Sequence, residues 1–133
     1  MSSFSLLVRP DGTFTITDWP ETAPARRVAR FTAVGNHRFH YVESDCGSIF
    51  MWSDEGAMIP ENEQLNMGAS LVMSKHADTS MINGRALFTG APDESGYPAG
   101  LSEEAVLGLV DTLLRAYPFA VRREPRIPRQ RRK

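Results

Sequence analysis

Cysteine is nearly absent from this chain of 133 residues. Cys46 stands alone, so no internal disulfide can form and the fold must rest on its core. Long apolar runs are missing too. None approaches the eighteen or so residues of a membrane span, so no membrane partner is expected. The opening stretch, MSSFSLLVRPDG, lacks a charged leader, and its apolar run is too short for a secretory signal. A cytoplasmic location is the expectation that follows. Catalytic signatures are also lacking: there is no G-x-S-x-G elbow, no phosphate-binding loop and no dinucleotide-binding glycine pattern. We therefore expect a protein that is not an enzyme and needs no cofactor. There are no internal repeats.

Net charge is small, −1, but it hides an asymmetry. From Arg122 to Lys133 the chain carries +6, and everything before it carries −7. An acidic body ends in a basic tail. Residues 1–118 read as a single domain, which at this length can bury a core without staples. Residues 119–133 have two prolines and no apolar period, and are expected to be a disordered tail.

The element readings are local. Phe4–Val8 and Thr13–Thr17 are strands by composition and alternation, joined across Arg9-Pro10-Asp11-Gly12 into a hairpin. Trp19 should plug one end of the core. A helix starting near Pro24 would be decorated by Arg26, Arg27 and Arg30 and anchored by Val28 and Phe31. Arg38–Glu43 and Ser48–Ser53 are two more strands, followed by a turn at Asp54-Glu55-Gly56. A helix from about Asn66 to Lys75 would turn Met67, Leu71 and Ser74 to one side, despite Gly68. Asn83-Gly84 is a hairpin signal before the strand Arg85–Thr89, in which Ala86 and Phe88 share one face and Leu87 and Thr89 the other. The loop Gly90–Gly100 holds two prolines, and turn chemistry accounts for the glycines at 84, 90, 96 and 100. Ser102 caps a helix with Glu103 and Glu104 in its first turn. Its apolar stripe is Val106, Leu109, Val110, Leu113, Leu114 and Tyr117, and Pro118 ends it. The fold class is α+β: an antiparallel sheet built from hairpins, with two or three helices packed on one face and the amphipathic helix last.

Three runs of residues carry a resemblance. Asp54-Glu55-Gly56 follows a strand and precedes Asn66 and Ala69. A strand lies between Gly84 and Gly90. Gly100-Leu101-Ser102-Glu103-Glu104 opens a helix. With Pro10-Asp11-Gly12 this pattern resembles the family called domain of unknown function 3846, found in bacteriophages, plasmids and conjugative elements. It spans roughly residues 5–115. Residues 18–38 fit the spacing poorly, and the Arg-rich tail is foreign to it. The resemblance implies a small phage or mobile-element accessory protein in the host cytoplasm. It brings no catalytic or binding residue with it.

The candidate chemistry is thin. His37, His40 and Cys46 are spaced H-x2-H-x5-C, but a three-residue step in a strand points the two histidines to opposite faces, so no metal is expected. His76 reads as a surface residue. Cys46 sits in an Asp-Cys-Gly turn with no cation beside it to lower its pKa. Asp54, Glu55, Glu61 and Glu63 could join Asp93, Glu94, Glu103 and Glu104 in one acidic surface. If Trp52 is exposed, it adds an aromatic anchor. The protein-binding residues expected on this basis are Trp52, Asp54, Glu55, Asp93, Glu94 and Tyr97, with a host protein as partner. The alternative is nucleic-acid contact through Arg122, Arg123, Arg126, Arg129, Arg131, Arg132 and Lys133, which would be salt-sensitive and sequence-independent. An enzyme would need a pocket where polar side chains converge.

Overall fold

A computed structural model describes residues 3–34, 39–54, 65–78 and 82–116. In chain order these form β1 (Phe4–Val8), β2 (Phe14–Asp18), α1 (Ala23–Val34), β3 (Phe39–Glu43), β4 (Phe50–Asp54), α2 (Met67–Ser74), β5 (Ala86–Thr89) and α3 (Glu103–Ala116). The strands make one antiparallel sheet in the order β2-β1-β5-β4-β3. The expected α+β class is therefore what the chain adopts.

Each hairpin follows from its turn. Arg9–Thr13 closes β1 onto β2, with Gly12 at φ +94° and the Asp11 carboxylate accepting from the Thr13 amide. Ser44–Ile49 closes β3 onto β4, with Gly47 at φ +78°. The two hairpins do not pair with each other. β5 slots between them, pairing Leu6 with Phe88 on one side and Met51 with Phe88 on the other. All four of its residues are buried, as befits a central strand covered on both faces. The Asn83-Gly84 signal is a turn, with Gly84 at φ +78°, but it closes no hairpin: α2 precedes it and Asn83 makes only an isolated bridge to Leu65.

The sheet is covered on both faces, not one. Ala86 and Phe88 join Leu6, Val8 and Met51 under α2 and α3. Leu87 joins Trp19, Phe50 and Trp52 under α1. α3 behaves as its stripe predicts: Ser102 Oγ accepts from the Ala105 amide, and Val106, Leu109 and Leu113 are buried. α2 turns Ala69, Val72 and Met73 inward, whereas Met67 and Leu71 are half-buried and Ser74 is exposed. Met67, Leu71 and Ser74 do share one side of the helix, and it is the less buried one; Asn66 caps the helix at the Ala69 amide.

α1 departs furthest from expectation. Val28 is 62% exposed and Phe31 is also exposed, while Arg30 is buried at 7%. The helix packs on the sheet through Ala29, Ala33 and Val34. Arg30 is buried on the same side, with its guanidinium over the Trp52 ring.

Candidate functional site

Of the sequence-based binding residues, Asp93, Glu94 and Tyr97 lie in the loop between β5 and α3 and Trp52 lies at its root, whereas Asp54 ends β4 at the opposite end of the sheet. β5 ends at Thr89, and the Gly90 amide donates to the Ala99 carbonyl, closing the loop at its base. A Cβ on Gly90 would lie 2.8 Å from the Gly100 carbonyl oxygen, and one on Gly100 would collide with the Ser3 side chain. Close approach, rather than turn conformation, therefore selects those two glycines. Gly96, at φ +88°, is a true turn position.

Two arginines one helical turn apart fasten this loop to α1. Arg26 pairs with Asp93. The Arg30 guanidinium lies 4.8 Å from the Trp52 ring centroid and 5.4 Å from that of Tyr97. Burial pulls the Arg30 pKa down from its ordinary value, with the facing Tyr97 acting against it. The Asp93 carboxyl is held below its usual range, first by the hydrogen bond from Ser95 and then by Arg26 among lesser causes. Asp93 and Tyr97 thus serve the scaffold. Trp52 is 3% exposed, with its indole N–H donating to Thr89 Oγ1 at 2.8 Å, so it presents no surface to a partner. Alternation alone could not tell its face from an exposed one, because α1 covers it. Glu94 is exposed. The side chain of Asp54, together with Glu55, Glu61, Glu63 and the basic tail from Arg122 to Lys133, lies outside the described residues, as do Tyr117 and Pro118.

Tyr41 was not among the expected residues. It is 51% exposed on the edge strand β3, stacks on Phe50 with ring centroids 5.4 Å apart and meets Trp52 at a tilt with centroids 5.3 Å apart. Glu43, two residues on and on the same face, is exposed, and its strand partner Phe50 pairs with Thr89 at the root of the loop. Glu43 therefore stands at the end of the sheet from which the loop carrying Glu94 leaves, and Tyr41 lies two residues further in along β3. The available sequence signal was the alternation that sets Phe39 and Tyr41 on one face of their strand; what it lacked was knowledge that β3 lies at the edge.

Among the described residues no three His, Cys, Asp or Glu side chains come together as a metal site, and His37 lies outside them. Cys46 is exposed and its thiol is drawn down to about 7, chiefly by hydrogen bonding with Ser48 at 2.8 Å and then with Ser44. Neutral hydroxyls do here what the expected absence of a cation seemed to preclude. A lowered pKa means the thiolate forms earlier as pH rises. Alkylation by iodoacetamide should be half-maximal at about pH 7, and Ser48→Ala should move that midpoint toward the ordinary ~8.5. A midpoint indifferent to Ser48→Ala would show that this hydroxyl does not set the reactivity.

No helix among the described residues is long and apolar enough to cross a membrane. No family model matches the chain, and neither a curated protein nor a solved structure matches it.

Proposed function

We propose that the chain is a small bacteriophage or mobile-element accessory protein that acts by binding a host protein and performs no chemistry of its own. The observation that supports this reading is Tyr41. Half of this side chain is open to solvent, yet its ring is fixed by two buried aromatics. A rigid aromatic anchor loses little conformational freedom on binding, and aromatics dominate interface hot spots. Exposed Glu43 on the same face of β3, with exposed Glu94 in the loop that leaves Glu43's end of the sheet, suits a partner that offers a basic side chain next to an apolar slot. The phage or mobile-element setting rests on the sequence resemblance alone.

The test uses the immobilised full chain, exposed to bacterial lysate at low salt. One protein should be retained, and Tyr41→Ala should reduce its retention at least tenfold, equivalent to about 1.4 kcal/mol. Retention that survives Tyr41→Ala but disappears on deleting residues 122–133 would move the function to the tail. No retention above background would remove the binding reading.

A further inference from the structure

α1 packs against β4 and β5 and stands back from β1 and β2 on the same face. Between the helix and the β1–β2 hairpin lies a cleft of ≈ 390 Å³, within the size range of small-molecule sites. We propose that this cleft binds a small organic anion, a carboxylate or phosphate, with its head group at Arg9 and Arg85 and its apolar body on Leu7 and Leu87.

The strand register brings the two arginines together. Leu7 pairs with Leu87 and Val8 with Ala86, so one step further places Arg9 opposite Arg85 on the leucine face. Both line the cleft. The sheet gains nothing from this pairing, since like charges facing each other across strands oppose association. Each guanidinium is already oriented. Arg9 Nη2 donates to Thr15 Oγ1 at 2.6 Å, and Arg85 Nη2 donates to the Val34 carbonyl at the end of α1 at 3.1 Å. A guanidinium has five N–H donors in a planar fork, which suits carboxylate and phosphate oxygens. Leu7 and Leu87 form the floor, and Ala29 and Ala33 make a wall that takes up little room.

A second, independent sign lies at the far end. Ser5 lines the same cleft, is only 3% exposed, and its hydroxyl has no hydrogen-bond partner among the described residues. A buried hydroxyl without a partner is uncommon and points to a group that enters from outside. Asp18 stands at that end as well, which disfavours a second anionic group there and favours a neutral or cationic hydrogen-bonding substituent. The ligand class is therefore a small acid with an apolar middle and one polar group at its far end. This site lies on the hairpin side of α1 and does not depend on the Tyr41 surface.

The test is titration of the full chain, followed by amide NMR shifts, with 4-hydroxybenzoate, phenyl phosphate and the neutral isostere 4-hydroxybenzamide. One or both anions should give saturable shifts at Ser5, Leu7, Arg9, Thr15 and Leu87, and which of them saturates tells carboxylate from phosphate. The amide should bind at least tenfold more weakly. Arg85→Gln should weaken the anion at least tenfold and leave the amide unchanged, with the spectrum's dispersion confirming the fold. If that variant does not fold, the anion-to-amide ratio on the unmodified chain decides. Absence of saturable shifts from both anions overturns the proposal. So does equal binding of amide and carboxylate, or an Arg85→Gln variant that folds and binds the anion as before.

Discussion

Replacing Asn66 with alanine is expected to lower the unfolding free energy by about 4 kcal/mol and the melting temperature by roughly 15 °C. Asn66 is 0% exposed, and both N–H donors and the oxygen of its side-chain amide are engaged. Nδ2 donates to the Val8 carbonyl at 2.9 Å and to the Gly84 carbonyl at 2.7 Å, while Oδ1 accepts from the Ala69 amide at 3.0 Å. One side chain thus ties the end of β1, the approach to β5 and the first turn of α2. The backbone continues the knot: the Asn66 amide donates to the Ile82 carbonyl, and Ser70 Oγ donates to the Asn66 carbonyl while accepting from the Ile82 amide. Alanine would strand two buried carbonyls and one buried N–H, each costing about 1–3 kcal/mol before relaxation and water entry soften the sum. Asn66→Asp makes a sharper comparison. It keeps the cap but turns an acceptor toward two acceptors, so at neutral pH it should destabilise at least as much as alanine. Those carbonyls and burial would raise the carboxyl pKa in the folded state. Stability should then recover as pH falls, because protonation restores one donor. Urea unfolding followed by tryptophan fluorescence measures both variants. A loss under about 1 kcal/mol for Asn66→Ala would mean that the network is not cooperative.

How much of this could be read from the sequence depends on the range of the interaction involved. β2 announced itself because TFTIT alternates and follows a Pro-Asp-Gly turn, and α3 because Ser102 and its apolar stripe are local signals. The central place of β5 was not legible: ALFT is four residues long, and only pairing with two distant hairpins makes it the middle strand. Asn66 and Ala69 were visible as a pattern, but the reason for the pattern is a bond from the Ala69 amide to Asn66 Oδ1 that local reading does not supply. The cleft was hidden for a like reason. Arg9 belongs to a turn and Arg85 precedes a strand, and only the β1–β5 register makes them neighbours. Burial of Trp52 and exposure of Val28 have one cause, the rotation of α1, in which alanines rather than the bulkiest apolar residues meet the sheet.

That rotation gives the second large effect. Arg30→Ala is expected to cost about 3 kcal/mol, and Arg30→Met only about 1. The reasoning separates stem from head. Alanine removes the Cγ and Cδ methylenes from a nearly closed site, at about 0.8 kcal/mol each, together with both ring contacts. Methionine refills most of that volume and gives up the charge over Trp52 and Tyr97. Those contacts contribute about 1 kcal/mol net, because burying a guanidinium carries a desolvation cost that offsets part of the attraction. Lysine keeps the charge but loses the flat guanidinium that lies near both rings, so it should fall between methionine and the parent residue. Near-ultraviolet circular dichroism adds a structural readout. Both Met and Ala variants should lose the signal of the ordered Tyr97 ring, while only Ala loses the larger share of stability. If Met and Ala prove equally destabilising, the stem argument fails and the cation itself holds the loop to α1. If Met equals the parent, the ring contacts contribute nothing net, and α1 is fixed by its alanines and the Arg26–Asp93 pair.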